Sequence, residues 1–158
     1  MTPFSYGSPT DRFGADFLDF IAEMNAQRVD YVLVGGYAVG VHGVVRATAD
    51  IDFLYRATPS NVAHLCRALI EFGAPDVIVN PEGLLTPDMV SAFGAPPYRI
   101  DLLSSITGVS FDAVWTGSML VDIAGQSVRV IGLAELRKNK AATGRTKDRE
   151  DLRLLPEA

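Results

Sequence analysis

The run Tyr31-Val32-Leu33-Val34 is apolar and rich in strand formers, and it stops at two consecutive glycines, Gly35 and Gly36. A second apolar stretch, Tyr37 to Val41, follows at once. Adjacent glycines let the backbone turn in a space no other residue pair permits, so this pattern reads as strand, tight turn, helix. A strand delivered straight into a helix must pair within a sheet and carry that helix on one face, which commits the chain to a layered architecture of helices on strands.

The rest of the chain fits that commitment. Thr10 or Asp11 is placed to cap a helix whose Phe13, Phe17, Phe20, Ile21 and Met24 form one apolar stripe. Ile51 to Tyr55 reads as the next strand, and Thr58-Pro59 opens a helix that turns Val62, Leu65, Cys66, Leu69 and Ile70 inward until Gly73. Thr86-Pro87 repeats the start signal for a short helix around Met89 to Phe93. Tyr98 to Leu103 alternates as a strand, Ser110 to Trp115 reads as a short helix, and Met119 to Ile123 with Ser127 to Ile131 reads as a hairpin. Ala134 to Ala142 is a helix stopped by Gly144, and Thr146 caps a last one through Leu155. The expected fold class is α/β (α+β), a mixed β-sheet flanked by helices. Residues 1–10 are expected to be a flexible N-terminal tail and residues 11–158 a single domain, in keeping with a length of 158 residues.

Composition removes several function classes. One cysteine, Cys66, excludes an intrachain disulfide, and with only His42 and His64 a Cys/His zinc site lacks ligands. A bound metal must therefore be held by carboxylates. The net charge of −5 argues against nucleic-acid binding by bulk positive charge, although residues 137–158 alone carry a balance of +3. Met1 to Thr10 shows no basic or apolar leader pattern, and Tyr31 to Val45 is too short and too glycine-broken to span a bilayer, so no membrane partner and a cytoplasmic location are expected.

Three aspartates carry the chemistry. Asp50 and Asp52 lie two apart, so on a strand both carboxylates leave one face while Ile51 and Phe53 enter the core. Asp101 lies in Arg99-Ile100-Asp101-Leu102-Leu103, opposite in face to Ile100 and Leu102, where a carboxylate is costly unless paired or metal-bound. If the two strands are neighbours, the three carboxylates form an oxygen-ligand site for a divalent ion. Mg²⁺ suits such a site because it takes carboxylates together with substrate phosphates, and the Gly35-Gly36 turn offers open amides to a phosphate. Two such ions could support in-line displacement at an α-phosphate. Dinucleotide-binding and P-loop readings fail on spacing, since Gly40 falls wrongly after Gly36 and Asn139 stands five residues before Gly144 where a P-loop needs glycine.

Gly35-Gly36-Tyr37-Ala38-Val39, His42-Gly43, Arg46, Thr48 and Asp50-Ile51-Asp52 resemble the DNA polymerase β-like nucleotidyltransferase superfamily. The match looks closest to its small bacterial branch of AbiEii- and MenT-like enzymes. Ile100-Asp101-Leu102-Leu103 and the block from Arg137 to Asp151 extend the resemblance over about Tyr31 to Leu152.

The resemblance implies a minimal nucleotidyltransferase fold and a reaction that moves a nucleoside monophosphate from an NTP to a hydroxyl of RNA, protein or a small molecule. Asp50, Asp52 and Asp101 would be the catalytic, metal-binding carboxylates for Mg²⁺ or Mn²⁺. Gly35, Gly36, Tyr37, Arg46 and Lys140 would contact nucleotide and phosphates. Tyr37 stands where the best-known form has Ser or Thr. The branch also implies a toxin role with a cognate antitoxin-type protein as partner. A catalytically silent nucleotide-binding or regulatory module of the same fold is the alternative.

Overall fold

The computed structural model describes residues 15–158. The expected cap at Thr10 or Asp11, Phe13 and the N-terminal tail lie outside the described residues. Seven α-helices and six strands are present among them, in the order α1 (Ala15–Ala26), β1 (Tyr31–Val34), α2 (Gly35–Val41), β2 (Asp50–Tyr55), α3 (Pro59–Phe72), α4 (Pro81–Leu85), β3 (Val90–Phe93), β4 (Arg99–Leu103), α5 (Phe111–Gly117), β5 (Met119–Ile123), β6 (Gln126–Val130), α6 (Leu133–Thr143) and α7 (Thr146–Leu154). A 3₁₀ turn, Asp76–Ile78, precedes α4.

The strands form one mixed sheet in the order β3-β4-β2-β1-β6-β5. β1 runs antiparallel to β2 and parallel to β6, and β2 runs parallel to β4. All four residues of β1 are buried, as expected of a central strand covered on both faces. The outer hairpin β5–β6 turns through Ala124 and Gly125, both at positive φ, the conformation a two-residue hairpin loop requires.

The apolar stripe of α1 carries Phe17, Phe20, Ile21 and Met24 into the core, all at most 1% exposed. Phe20 meets Phe53 of β2, Phe72 of α3 and Phe93 of β3 at ring separations of 5.2–5.8 Å, so one aromatic residue ties two helices to two strands. Burying such a side chain contributes roughly 1.5–3 kcal/mol. α3 begins as its sequence dictates, with the Thr58 hydroxyl accepting from the Asn61 amide and Pro59 in the first turn, and it ends at Gly73 in the left-handed conformation.

Two local expectations are corrected. Val90–Phe93 is a strand, paired antiparallel with β4, and the helix lies earlier at Pro81–Leu85. The Thr86 hydroxyl donates to the Glu82 carbonyl, so Thr86 closes that helix instead of opening one. Ile70, expected to point inward on α3, is 60% exposed. Cys66 lies in the core and His42 is tied through Nε2 to the Ile131 carbonyl at 2.7 Å, both structural placements. Phe111 and Trp115 stack on one another and are flanked by the guanidiniums of Arg56 and Arg129. No helix among the described residues is long and apolar enough to cross a membrane.

Candidate active site

Strand register assembles the acidic cluster. β2 and β4 lie side by side with Asp52 opposite Asp101 and Asp50 opposite Arg99. Ile51 and Phe53 are fully buried on the other face of β2, which leaves Asp50 and Asp52 no choice of direction. Carboxylate oxygens of Asp50, Asp52 and Asp101 all fall within 4.8 Å of one another. They line a cavity of about 450 Å³ whose walls also include Gly35, Gly36, Arg46, Arg99, Lys140, Arg145 and Lys147.

The two glycines are explained by the same register. Val34 pairs with Asp52 across β1 and β2, so the residue after Val34 rides directly over that carboxylate. Gly35 has φ +70°, and a Cβ there would stand 2.0 Å from Asp52 Oδ2. At Gly36 a Cβ would stand 2.8 Å from Thr48 Oγ1 and 3.3 Å from the Arg46 guanidinium. Only a chain without side chains at both positions lets Asp52, Thr48 and Arg46 approach this turn. Tyr37 packs edge-on against Phe17 of α1 at 5.6 Å, on the core side of the turn.

The cations near the cavity fall into two groups. Arg99 holds Asp101 with both arms of its guanidinium, Nε at 2.8 Å and Nη2 at 2.9 Å, and Nη2 also reaches Asp50 at 3.3 Å. Lys147 is exposed, lines the cavity and lowers the proton affinity of Asp50 and Asp52 through space. Arg46 and Lys140 also border the cavity, but their charged ends are engaged behind its wall. Arg46 donates to both oxygens of Asp151 at 2.9 and 3.1 Å. Lys140, 4% exposed, lies 3.0 Å from Asp148 and 3.1 Å from Asp151, each at most 1% exposed. Arg145 adds a 2.7 Å contact to Asp148.

Charge balance sets the titration of each group. Burial pushes the Asp52 carboxyl up to about 7, reinforced by the charges of Asp50 and Asp101 and opposed by Lys147. Asp50 is raised for the same reasons, burial first and then Asp101. Burial works most strongly to raise Asp101, but hydrogen bonds from Arg99, Asp50 and Asp52 together with the Arg99 charge outweigh it and hold that carboxyl below its ordinary value. Two of three crowded carboxylates thus lack sufficient positive charge, the condition under which a bound cation is favoured.

The sequence profile of DUF6036, described as a nucleotidyltransferase of unknown function, matches residues 16–154. The chain belongs to this nucleotidyltransferase family. No curated protein sequence matches it. Among solved structures, the fold matches a candidate nucleotidyltransferase from Thermotoga maritima with a TM-score of 0.53 and 15% identity, over 87% of this chain and 88% of the other. The mixed sheet flanked by helices is therefore a nucleotidyltransferase fold.

Within this family member the donor set fits a hard divalent ion, since the three clustered side chains offer only carboxylate oxygen and are short of positive charge. The structure brings seven of the eight residues anticipated from sequence to one cavity and turns Tyr37 toward α1. Arg99 and Lys147 also line the cavity, and neither is among the residues anticipated from sequence. The signal for Arg99 was available, because a residue two before Asp101 on a strand shares its face. Lys147 is one of several cations in its helix, and nothing in its spacing singles it out.

Proposed function

We propose that the chain is a divalent-metal-dependent nucleotidyltransferase that transfers a nucleoside monophosphate from an NTP to an acceptor hydroxyl. The observation that carries this reading is the register of β2 with β4, which gathers Asp50, Asp52 and Asp101 in a cavity of nucleotide-compatible size beside Gly35. Asp50, Asp52 and Asp101 would hold Mg²⁺ or Mn²⁺, which supplies positive charge against phosphate oxygens and acidifies the attacking hydroxyl.

The chain's own groups have separable tasks in this reading. Lys147 faces the cavity from α7 and supplies exposed positive charge for the triphosphate. The Gly35–Gly36 turn keeps the floor free of side chains. The acceptor oxygen forms its bond to the α-phosphorus as the bond to the bridging oxygen breaks, and the electron pair leaves with pyrophosphate. Asp101 is the carboxylate assigned to take the hydroxyl proton. Preorganised charge of this kind is the main source of catalysis in phosphoryl-group chemistry.

Labelled NTPs, Mg²⁺ and a cell extract should yield a labelled acceptor and pyrophosphate. Asp52→Ala should reduce transfer about a thousandfold or more, the scale of several kcal/mol of lost charge stabilisation. Label transfer that survives this substitution would overturn the proposal, and release of free nucleoside monophosphate without a labelled acceptor would make the chain a phosphohydrolase. The toxin-type branch is the finer form of the same reading. It expects growth arrest on expression of the wild type and none with Asp52→Ala.

The silent-module reading is favoured by one observation, the packing of Tyr37 against Phe17 at the position where a hydroxyl side chain would face the triphosphate. It expects NTP binding that is independent of metal and followed by no pyrophosphate release.

A further inference from the structure

We propose that Arg99 is a resident occupant of the carboxylate site, a guanidinium that a divalent ion must displace before the three aspartates can hold it. The inference rests on the metal-dependent reading above and assigns to that site a device that sets how readily it loads. Arg99 stands opposite Asp50 in the β2–β4 register and two residues before Asp101 on the same strand, so the sheet itself aims it at the cluster. Its planar fork takes both oxygens of Asp101, at 2.8 and 2.9 Å, and its third contact is an Asp50 oxygen at 3.3 Å. These belong to the same carboxylates whose oxygens converge within 4.8 Å, and an ion bound among them would use the lone pairs the guanidinium now engages.

Arg99 is also built to leave. Its side chain is 41% exposed, and it lines the open cavity. Arg46, by contrast, makes a similar two-armed contact at 21% exposure to an Asp151 side chain that is 1% exposed. One arginine is locked into a wall and the other lies across an entrance. The guanidinium bridges two of the three mutually repelling carboxylates, Asp50 and Asp101, and raises the threshold for capture of a lone cation. A metal arriving with nucleotide phosphates meets a lower threshold, because the displaced guanidinium then has new anions in the same cavity.

Calorimetric titration with Mn²⁺ alone, in the absence of nucleotide, tests this directly. Arg99→Gln should tighten the Mn²⁺ dissociation constant about tenfold, the scale of one or two charge-assisted hydrogen bonds no longer in competition. Lys147→Gln removes the same unit charge from the same cavity without touching a carboxylate, and should tighten it by no more than about threefold through screened electrostatics. Equal effects of the two substitutions, or weaker binding in Arg99→Gln, would overturn the proposal.

A second measurement uses the wild-type chain and so survives any misfolding of the variants. Modification of Arg99 by phenylglyoxal, followed by mass spectrometry, should proceed several-fold faster with saturating Mn²⁺ than without it. A rate that is unchanged or slower overturns the displacement. Mn²⁺ binding that is lost in Asp52→Ala but indifferent to Arg99→Gln would remove this inference and leave the metal site standing. Absence of Mn²⁺ binding in both the wild type and Arg99→Gln would remove both.

Discussion

Two groups of aspartates, one lining the cavity and one buried behind its wall, are opposites. Asp50, Asp52 and Asp101 gather three negative charges against one half-exposed arginine in contact and one exposed lysine at a distance. Asp148 and Asp151 are more deeply buried, yet they meet Lys140, Arg46 and Arg145 in direct ion pairs, and the Thr143 hydroxyl donates to Asp148 at 2.6 Å. Titration follows the pairing. Burial acts to raise both Asp52 and Asp148, but Asp52 ends near 7 while hydrogen bonds from Arg145, Thr143 and Lys140 hold Asp148 well below the usual carboxylate range. A buried acid beside enough cations is a structural tie, and a buried acid without them is a site waiting for charge.

The difference also shows what each cluster does for the fold. α7 buries no apolar side chain between its ends, only Asp148 and Asp151, and α6 buries Leu136 and Lys140. The last two helices are joined to each other and to Arg46 through ions. By this tie the loop that follows α2 is fixed directly to the α6–α7 wall beside the cavity.

The comparison can be broken most forcefully at its structural half. Lys140→Met should cost about 3–5 kcal/mol in urea unfolding, the usual result of removing one partner from a buried ion pair. A loss below about 1 kcal/mol would mean that Arg46 and Arg145 alone balance the two aspartates.

A smaller effect is expected at the glycine that separates the turn from the acidic trio. Gly35→Ala forces a Cβ into the left-handed region and against Asp52, and should cost about 2 kcal/mol in the same assay. It should also abolish measurable Mn²⁺ binding while leaving the Lys140 network intact, which sharpens the separation between the clusters.

The smallest and most diagnostic effect has the opposite sign. An unfolded aspartate titrates near 4, whereas Asp52 in the fold does so at about 7. The folded chain therefore holds the extra proton between these values. The stability Asp52 contributes is complete below about pH 4 and is lost as pH rises to 7, after which it levels off. Asp52→Asn should flatten that slope and stabilise the protein on the order of 1–2 kcal/mol at pH 8 without metal. Asp148→Asn should destabilise it at the same pH. Thermal melts across pH 4–8 compare the two, and a shared sign would erase the distinction between them.

Much of this was legible in the chain. The stripe of Phe17, Phe20, Ile21 and Met24 announced α1, and Thr58-Pro59 with Gly73 bracketed α3 to within a residue. Asp50 and Asp52 could be put on one strand face by period two alone. The region from Pro81 to Phe93 was misread because a Thr-Pro pair opens helices more often than it follows them, and a four-residue strand carries too little periodicity to overrule it. The partner of Arg46 was invisible for a different reason. Asp151 lies 105 residues from Arg46, and no local pattern connects them.

The sequence by itself determined which chemistry is available: three acidic side chains on strands, two glycines at a strand end, and no histidine or cysteine set able to compete for a metal. These follow from residue type and short-range periodicity, which a linear chain carries openly. Tertiary structure alone decided which charges are spent on the fold and which are left for function. Long-range strand register put Arg99 on the trio, and helix docking locked Lys140 and Arg46 behind the wall while leaving Lys147 outside it. Countercharge and burial are properties of neighbours in space, and those neighbours exist only once the sheet and its last two helices have closed around the cavity.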